Sequence, residues 1–285
     1  MRLMPMLLAA GETATLEATP VARRLDLIFP TAERSNTTRT DQYFLGDDLL
    51  VAPFSSSGDT NGTATREVWL PPGSYQDAWT GATVEGPQLV VATQPLGRIP
   101  LWHQKGGVLV TAPSALTIEE QDWSELTLEL FPHALSERAS ERDVGGPPQA
   151  RQALDATQRR AQQVRRVVRE GEPGEGTTVF SQESTGGQLS IEIVPSENTP
   201  ARAWLLRLNL APGHTLSSAV VDGAAVSADA FAVLAPIPAD RAADFFPLLG
   251  RGSAAAPEAG SVVELRLASA VGKRSVALQL AAQGA

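Results

Sequence analysis

Apolar and polar residues alternate along much of the second half of the chain, a pattern that predicts β-strands. Leu126, Leu128 and Leu130 fall on one face of such a strand, with Thr127 and Glu129 on the other. Similar alternation occurs in residues 188–194, 204–210, 263–267 and 276–280. Because several strands of this kind need a shared core, these segments predict a β-sandwich.

Short apolar segments divided by glycine and proline predict a first, smaller antiparallel sandwich in residues 48–112. Residues 49–52 are apolar throughout, which is typical of a strand that is covered on both faces. Residues 67–70 form a strand that is expected to end at the turn signal Pro71-Pro-Gly73. Further strands are expected at residues 89–91, 99–102 and 108–111.

Other segments carry different patterns. Residues 1–19 have apolar residues at helical spacing, and residues 20–30, bounded by prolines, predict a strand. Residues 149–170 are rich in Ala, Gln and Arg, and predict a helix, or a partly ordered excursion, inserted between strands. Asp222-Gly223 predicts a tight hairpin turn, and residues 240–260 predict a long loop.

Composition narrows the classes of partner. The 285 residues suffice for two domains, and their net charge of −9 argues against a nucleic-acid partner. No apolar run is long enough to span a bilayer. The absence of cysteine excludes disulfides and cysteine metal sites, and it leaves the compartment open. Asn36-Thr-Thr and Asn61-Gly-Thr fit the sequon for N-glycosylation.

Candidate catalytic and metal-binding residues are few. The pair Asp47-Asp48 would point to opposite faces of a strand, so we interpret it as a loop acid followed by a strand start. The three histidines are His103, His133 and His214, which lack both a nucleophile elbow and metal-ligand spacing, and are expected at a surface or interface. The loop at Asp59 lacks the later ligands of a calcium site. The sequence therefore predicts no catalytic, cofactor-binding or metal-binding residue and no cofactor.

Two further groups of side chains have a structural and a functional interpretation. Trp69, Trp79 and Trp102 could stack on sugar rings, but their places in strands and turns favour a role in the core. The arginines within residues 159–169 could bind a polyanion, but the glutamates that follow them favour a solvated helix face.

Three blocks of sequence carry a family resemblance. Residues 41–53 read DQYFLGDDLLVAP, residues 66–81 read REVWLPPGSYQDAWTG, and residues 95–102 read PLGRIPLW, followed by KGGVLV at 105–110. In this order they resemble the region just after the catalytic barrel in glycoside hydrolase family 31, the α-glucosidase and α-xylosidase family. We call them the first, second and third signature blocks.

The resemblance implies a mainly β fold with three parts. Residues 1–40 would be the last helix and strand of a (β/α)8 barrel, although Arg23-Arg24-Leu25 stands where the family typically has Arg-Pro-Leu. Residues 41–118 would form a proximal β-sandwich, and residues 119–285 a distal β-sandwich with an inserted helix near 149–170. Asp41-Gln42 is expected to fix the turn between barrel and sandwich through bonds from side chain to backbone.

The resemblance also implies where catalysis occurs. Family 31 enzymes use two aspartates on barrel strands before the last one in a retaining mechanism, and no residue of this chain matches either motif. We therefore expect a C-terminal portion of a glycoside hydrolase that is inactive alone. Its partners would be an upstream barrel domain and, only within the full-length enzyme, a carbohydrate substrate. Met1 would then be an internal methionine of a longer enzyme.

One alternative function remains open from the sequence. A stand-alone carbohydrate-binding or interaction module would also be a β-sandwich, and it would need an exposed aromatic platform on one sheet.

Overall fold

A computed structural model describes residues 2–30, 39–117, 119–132, 163–169, 177–185, 187–195, 199–210, 213–227, 230–234 and 262–282. These residues form three β-sheets accompanied by two helices, so the predicted mainly β fold is confirmed. Neither described helix is long and apolar enough to cross a membrane.

The first sheet is antiparallel, with the strand order β1-β2-β3-β6-β4-β5. Its strands are β1 (Ala22–Arg23), β2 (Tyr43–Leu45), β3 (Leu49–Val51), β4 (Thr63–Asp77), β5 (Thr83–Pro95) and β6 (Leu101–Gln104). The strand predicted to end at Pro71-Pro-Gly73 instead continues as β4, with a register shift between Leu70 and Gly73. Such an irregularity accommodates prolines, which cannot donate a hydrogen bond to the ladder.

The second and third sheets contain the remaining strands. The second sheet has the order β14-β13-β17-β11-β10-β9, and the third has the order β15-β16-β12-β8-β7. The strands of the second are β9 (Gln163–Arg169), β10 (Thr177–Thr185), β11 (Gln188–Pro195), β13 (His214–Val221), β14 (Ala224–Val226) and β17 (Arg274–Ala282). Those of the third are β7 (Val108–Thr111), β8 (Glu125–Leu130), β12 (Arg202–Asn209), β15 (Phe231–Leu234) and β16 (Val262–Ala270). The β8–β12 pair is parallel.

The second and third sheets share one apolar core. The alternate residues that were predicted to face a core in β8 and β11 are buried there, so the predicted strand alternation is confirmed. The third sheet contributes Leu126, Leu128 and Leu130, and the second contributes the similarly spaced residues of β11. Those β11 residues are Leu189, Ile191 and Ile193. Because burial of such a side chain is worth about 1.5–3 kcal/mol, this core holds the two sheets together as a sandwich.

The predicted N-terminal helix is α1 (Met4–Glu17), with Pro5 in its first turn, where a proline is tolerated. It packs on the third sheet, since Leu3 and Met6 contact a cluster formed by Leu109 and Phe131.

The predicted strand at residues 20–30 is wrong for most of its length. Only Ala22–Arg23 forms a strand, β1, and it pairs antiparallel with β2 of the first sheet. Residues Leu25–Ile28 form the one-turn helix α2. A turn of helix brings positions four apart to the same side, so both Leu25 and Phe29 are buried in the core of the first sheet.

The predicted helix near 149–170 is also wrong where the structure describes it. Residues Gln163–Arg169 are strand β9, which pairs antiparallel with β10. The three β-branched valines in this segment favour a strand, and the pairing partner outweighed the helical composition. The rest of the predicted helix and the loop predicted at 240–260 lie outside the described residues.

The hairpin at Asp222-Gly223 is confirmed and connects β13 to β14. Both residues have a positive φ, 50° and 82°, as a type I′ turn requires.

The sheets do not divide at residues 118 and 119. Strand β7, which was expected in the first sandwich, pairs with β8, with Val110 opposite Leu128. The passage from the first sheet to the third therefore lies between β6 and β7, in the third signature block.

Candidate functional site

The first and third signature blocks meet where the chain passes from β6 to β7, at Lys105, Gly106 and Gly107, which we call the junction. Gly106 has a φ of 81°, in the left-handed region that favours glycine. A Cβ atom on Gly107 would lie 2.7 Å from the Cβ of Asp48. The two glycines are thus explained by a turn and by close packing against the first block.

Asp48 holds both ends of the junction. Its carbonyl oxygen accepts a hydrogen bond from Gln104 N (2.8 Å), and its carboxylate accepts one from Val108 N (3.1 Å). The neighbouring Asp47 instead forms an ion pair with Arg23. The two carboxylates have different partners, so they do not converge on a shared reaction centre.

A polar side chain of the second block, that of Gln76, contacts the junction through Lys105. Lys105 is buried, and its Nζ donates a hydrogen bond to Oε1 of Gln76 (3.2 Å), whose Nε2 donates to the carbonyl oxygen of Gly81 (3.0 Å). Tyr75 is fully buried, and burial raises the pKa of its phenol. No sequence pattern indicated a buried lysine here, because the lysine precedes a glycine turn rather than lying in a strand.

His103 lies at the interface between the first and third sheets. Its ring stacks on that of Phe131 with a centroid distance of 4.0 Å. The backbone of Phe131 also pairs with both glycines of the junction, at 2.6 and 3.2 Å. Of the other histidines, His214 is half-buried at the start of β13 and His133 lies outside the described residues.

The first block is tied to the second by side chains that bind backbone. Gln42 Nε2 donates to the carbonyl oxygen of Trp69 (2.7 Å), and Trp69 N donates to Gln42 Oε1 (3.1 Å). Gln42 therefore binds backbone as expected, but its partner lies within β4 and not in a turn between barrel and sandwich. Asp41 instead forms an ion pair with Arg66 (2.6 Å), which also donates to the carbonyl oxygen of Pro53.

The second block is tied to the third in the same way. Trp79 Nε1 donates to the carbonyl oxygen of Ile99 (2.7 Å). The carboxylate of Asp77 accepts hydrogen bonds from the backbone N–H groups of Trp79 and Thr80, each at 2.8 Å. Burial nevertheless raises the pKa of Asp77. All three blocks thus bind one another.

The aromatic residues of the blocks belong to the core. Trp69, Trp79 and Trp102 are 3%, 6% and 3% exposed. Phe29 packs edge-on against Trp69, and the guanidinium of Arg98 lies 4.8 Å from the ring centroid of Trp79. Among the aromatic side chains whose burial the structure describes, none is exposed. The favoured interpretation of these tryptophans as core residues is confirmed, and the alternative of a sugar platform is wrong.

A second buried polar cluster, which the sequence did not indicate as a unit, joins three strands of the third sheet. Arg207 on β12 lies opposite both Glu129 on β8 and Glu264 on β16, and it forms ion pairs with both. Asn209 Nδ2 donates to Glu129 Oε2 (3.1 Å). Burial opposes the charged form of Arg207, but the two carboxylates outweigh it and raise the pKa of Arg207. The only sequence signal was a pair of charged residues within each otherwise mostly apolar strand.

The loop at Asp59 closes on itself. Oδ1 of Asp59 accepts hydrogen bonds from Asn61 N (2.9 Å) and Thr63 N (2.8 Å). Across the residues that the structure describes, no group of three or more His, Asp or Glu side chains could hold a metal ion.

The sequence of the same region matches a known protein family. Residues 18–109 match the model of the glycosyl hydrolase family 31 C-terminal domain. The chain contains the C-terminal region of glycoside hydrolase family 31. The matched range includes the first two signature blocks and the junction, the parts of the chain that are tied together by the hydrogen bonds described above.

Curated relatives of the family 31 region are longer proteins. Isomaltosyltransferase of Sporosarcina globispora is 25% identical over 156 residues, which are 51% of this chain and 14% of that enzyme. A probable alpha/beta-glucosidase of Arthroderma benhamiae is 34% identical over 124 residues, which are 42% of this chain and 14% of that protein. The alignments thus cover a small part of each relative.

Solved structures show the same fold over nearly the whole chain. A family 31 dextranase of Flavobacterium johnsoniae matches with a TM-score of 0.64 at 17% identity, covering 98% of this chain and 31% of the dextranase. A family 31 alpha-xylosidase of Xanthomonas citri matches with a TM-score of 0.56 at 21% identity, covering 73% of this chain and 20% of that enzyme. The β-sheet architecture beyond residue 109 is therefore shared with family 31 proteins.

Proposed function

We propose that this family 31 region is a non-catalytic support for an upstream (β/α)8 barrel, in a longer enzyme that hydrolyses O-glycosyl bonds. The observation that carries the proposal is the mutual binding of the signature blocks. Their polar side chains are used to fix the first sheet and its junction with the third.

The carboxylates of the described residues support this role. Glycoside hydrolysis needs two carboxyl groups about 5–5.5 Å or about 6.5–9.5 Å apart, on either side of a scissile bond. Half-buried Asp77 accepts hydrogen bonds from the turn that follows β4, and buried Glu129 accepts one from Asn209 within its own sheet. Asp47 and Asp48 have separate partners. We infer that the acid and the nucleophile belong to the upstream barrel.

Exposed aliphatic side chains support an upstream partner. Leu16 at the end of α1 is 72% exposed, and Leu27 in α2 is 55% exposed. Both lie in residues 1–40, the segment that we assign to the barrel, ahead of strands β2 to β17. Covering such side chains is favourable by the same hydrophobic term that holds the core. The substrate is a carbohydrate bound only by the longer enzyme.

An activity assay tests the first part of the proposal. We expect this chain not to hydrolyse an aryl α-glucoside, and turnover above that of a heat-treated control would contradict the proposal. Calorimetric titration with maltose and xylose oligomers should show little affinity. Saturable binding would support the alternative of a carbohydrate-binding module.

A reconstitution assay tests the second part. The coding sequence upstream of residue 1 is expected to encode a barrel with two suitably placed aspartates. Co-expression of that barrel with this chain should give a complex that Leu16→Asp weakens. Leu116→Asp is the matched control, because Leu116 is 89% exposed and lies outside residues 1–40. Equal effects of the two substitutions would argue against a barrel contact at α1.

A further inference from the structure

We propose that Asn61 is an N-glycosylation site, a property separate from the proposed support of a barrel. Asn61-Gly-Thr63 satisfies the Asn-x-Ser/Thr sequon, with glycine at the middle position. A glycan is bulky and hydrated, so the folded protein can carry one only where the asparagine faces solvent.

The backbone of the turn at residues 59–63 is fixed by its own hydrogen bonds. Gly62 N donates to the carbonyl oxygen of Asp59 (3.0 Å), and Asp59 N donates to that of Thr63 (2.7 Å). Leu96 N, at the end of β5, donates to the carbonyl oxygen of Gly62 (2.9 Å). These bonds join backbone atoms, so a modified side chain at Asn61 leaves the turn intact.

The side chain of Asn61 is exposed at the tip of this turn. Thr60 and Gly62 on either side are exposed too, and a Cβ atom on Gly62 would have no neighbour within 4 Å. Within the described part of the chain, the Asn61 side-chain amide has no hydrogen-bond partner. A glycan on its Nδ2 therefore displaces no contact of the fold.

Buried Asn209 provides the contrast. Its amide donates to Glu129 in the charged cluster, and no hydroxyl residue stands two positions later. The sequon at Asn36 lies outside the described residues. The structure thus points to Asn61 by combining a sequon, exposure and a free amide in one place.

The modification requires a lipid-linked oligosaccharide diphosphate donor and a membrane oligosaccharyltransferase. A bond forms between Nδ2 of Asn61 and the anomeric carbon of the sugar as the bond from that carbon to the diphosphate oxygen breaks. The amide loses one proton, and the lipid diphosphate leaves. No oxidation or reduction occurs.

Peptide mass spectrometry tests the proposal. The full chain is recovered from its natural source and, in parallel, secreted from a eukaryotic cell line behind a secretion signal. Glycans are released with an amidase in heavy-oxygen water, so that enzymatic release is distinguished from spontaneous deamidation at Asn61-Gly62. The variants are Asn61→Gln, Thr63→Ala, Thr63→Ser and Asn36→Gln.

We expect a glycan on the Asn61 peptide of both preparations, lost in Asn61→Gln and Thr63→Ala but kept in Thr63→Ser and Asn36→Gln. Thr63→Ser is the matched control, because it changes the residue but keeps the sequon. An unmodified Asn61 in either preparation, or a glycan at Asn36 alone, would overturn the proposal. Neither result bears on the barrel, whose test is activity and complex formation.

Discussion

The first sheet and the sandwich of the second and third sheets bury polar groups in different ways. In the first sheet, the side chain of Gln42 binds the backbone of Trp69 in β4, and the side chain of Asp77 binds the backbone of the turn that follows β4. In the third sheet, Arg207 is held by the side chains of Glu129 and Glu264.

This difference predicts that the first sheet is the more recognisable of the two regions in sequence. A bond from a side chain to the backbone restricts one residue type, since its backbone partner is present whatever the sequence. A cross-strand ion pair can be exchanged for an apolar pair of similar volume at little cost. Accordingly, the family model matches residues 18–109, whereas the fold likeness covers 98% of the chain.

The largest effect is expected from breaking the charged cluster of the third sheet. Arg207→Met leaves the fully buried carboxylate of Glu129 without its counter-ion, and should destabilise the sandwich by about 3–5 kcal/mol. Denaturant unfolding would measure the loss, and hydrogen exchange would show whether it is confined to the second and third sheets.

The triple variant Glu129→Leu/Arg207→Met/Glu264→Leu should recover most of that stability, because all three charges are removed together. If the triple variant were as unstable as Arg207→Met, the cluster would not be exchangeable and the proposed contrast with the first sheet would fail.

A smaller loss is expected when the first sheet is broken at Gln42. Gln42→Ala leaves both the N–H and the carbonyl oxygen of Trp69 without their buried partner, which should cost about 2–4 kcal/mol. Hydrogen exchange should increase in β4 and β5 and remain unchanged in the sandwich. Gln88→Ala is the matched control at an exposed position, and a similar loss there would contradict the assigned role of Gln42.

Backbone packing in the first sheet gives a third, smaller prediction. A Cβ atom on Gly86 would lie 1.9 Å from the carbonyl oxygen of Pro71, next to the irregularity in β4. Gly86→Ala should therefore cost about 1–3 kcal/mol through overpacking. Gly97→Ala, where a Cβ atom would have no neighbour within 4 Å, should change the free energy of unfolding much less.

The smallest effect concerns pH. Burial raises the pKa of Asp77 above its ordinary 3.8, so the stability that it contributes is fully present below that value and is lost as pH rises through the raised pKa. Asp77→Asn keeps the oxygen acceptor without the charge. It should therefore be the more stable protein at neutral pH, by about 1 kcal/mol or less, with no advantage in acid.

Asp222→Asn is a comparison variant for which the expected dependence of stability on pH has the opposite sign. The N–H of Ser275, followed by Arg274, lowers the pKa of exposed Asp222, so its contribution is lost as pH falls. Unfolding curves across pH that showed the same trend for both variants would contradict the assigned cause of the Asp77 shift.

Prediction from sequence succeeded where one local rule was sufficient. The hairpin at Asp222-Gly223 needs only two residues that tolerate a positive φ. The core leucines of β8 need only alternation and a covered face. Prediction failed at residues 25–28, which form a turn of helix within a predicted strand, and at residues 163–169, where pairing with β10 outweighed the helical composition. Lys105 and Arg207 were missed as buried groups because their partners lie on other strands.

The sequence by itself determined the mainly β character of the chain, its family and the binding of Gln42 to backbone. These follow from spacing and residue type over short ranges. Only the tertiary structure decided that the third signature block is a junction between sheets and that β7 belongs to the third sheet. It also decided that the tryptophans fill cores, because burial depends on which strands meet, and many of those contacts join residues far apart in the chain.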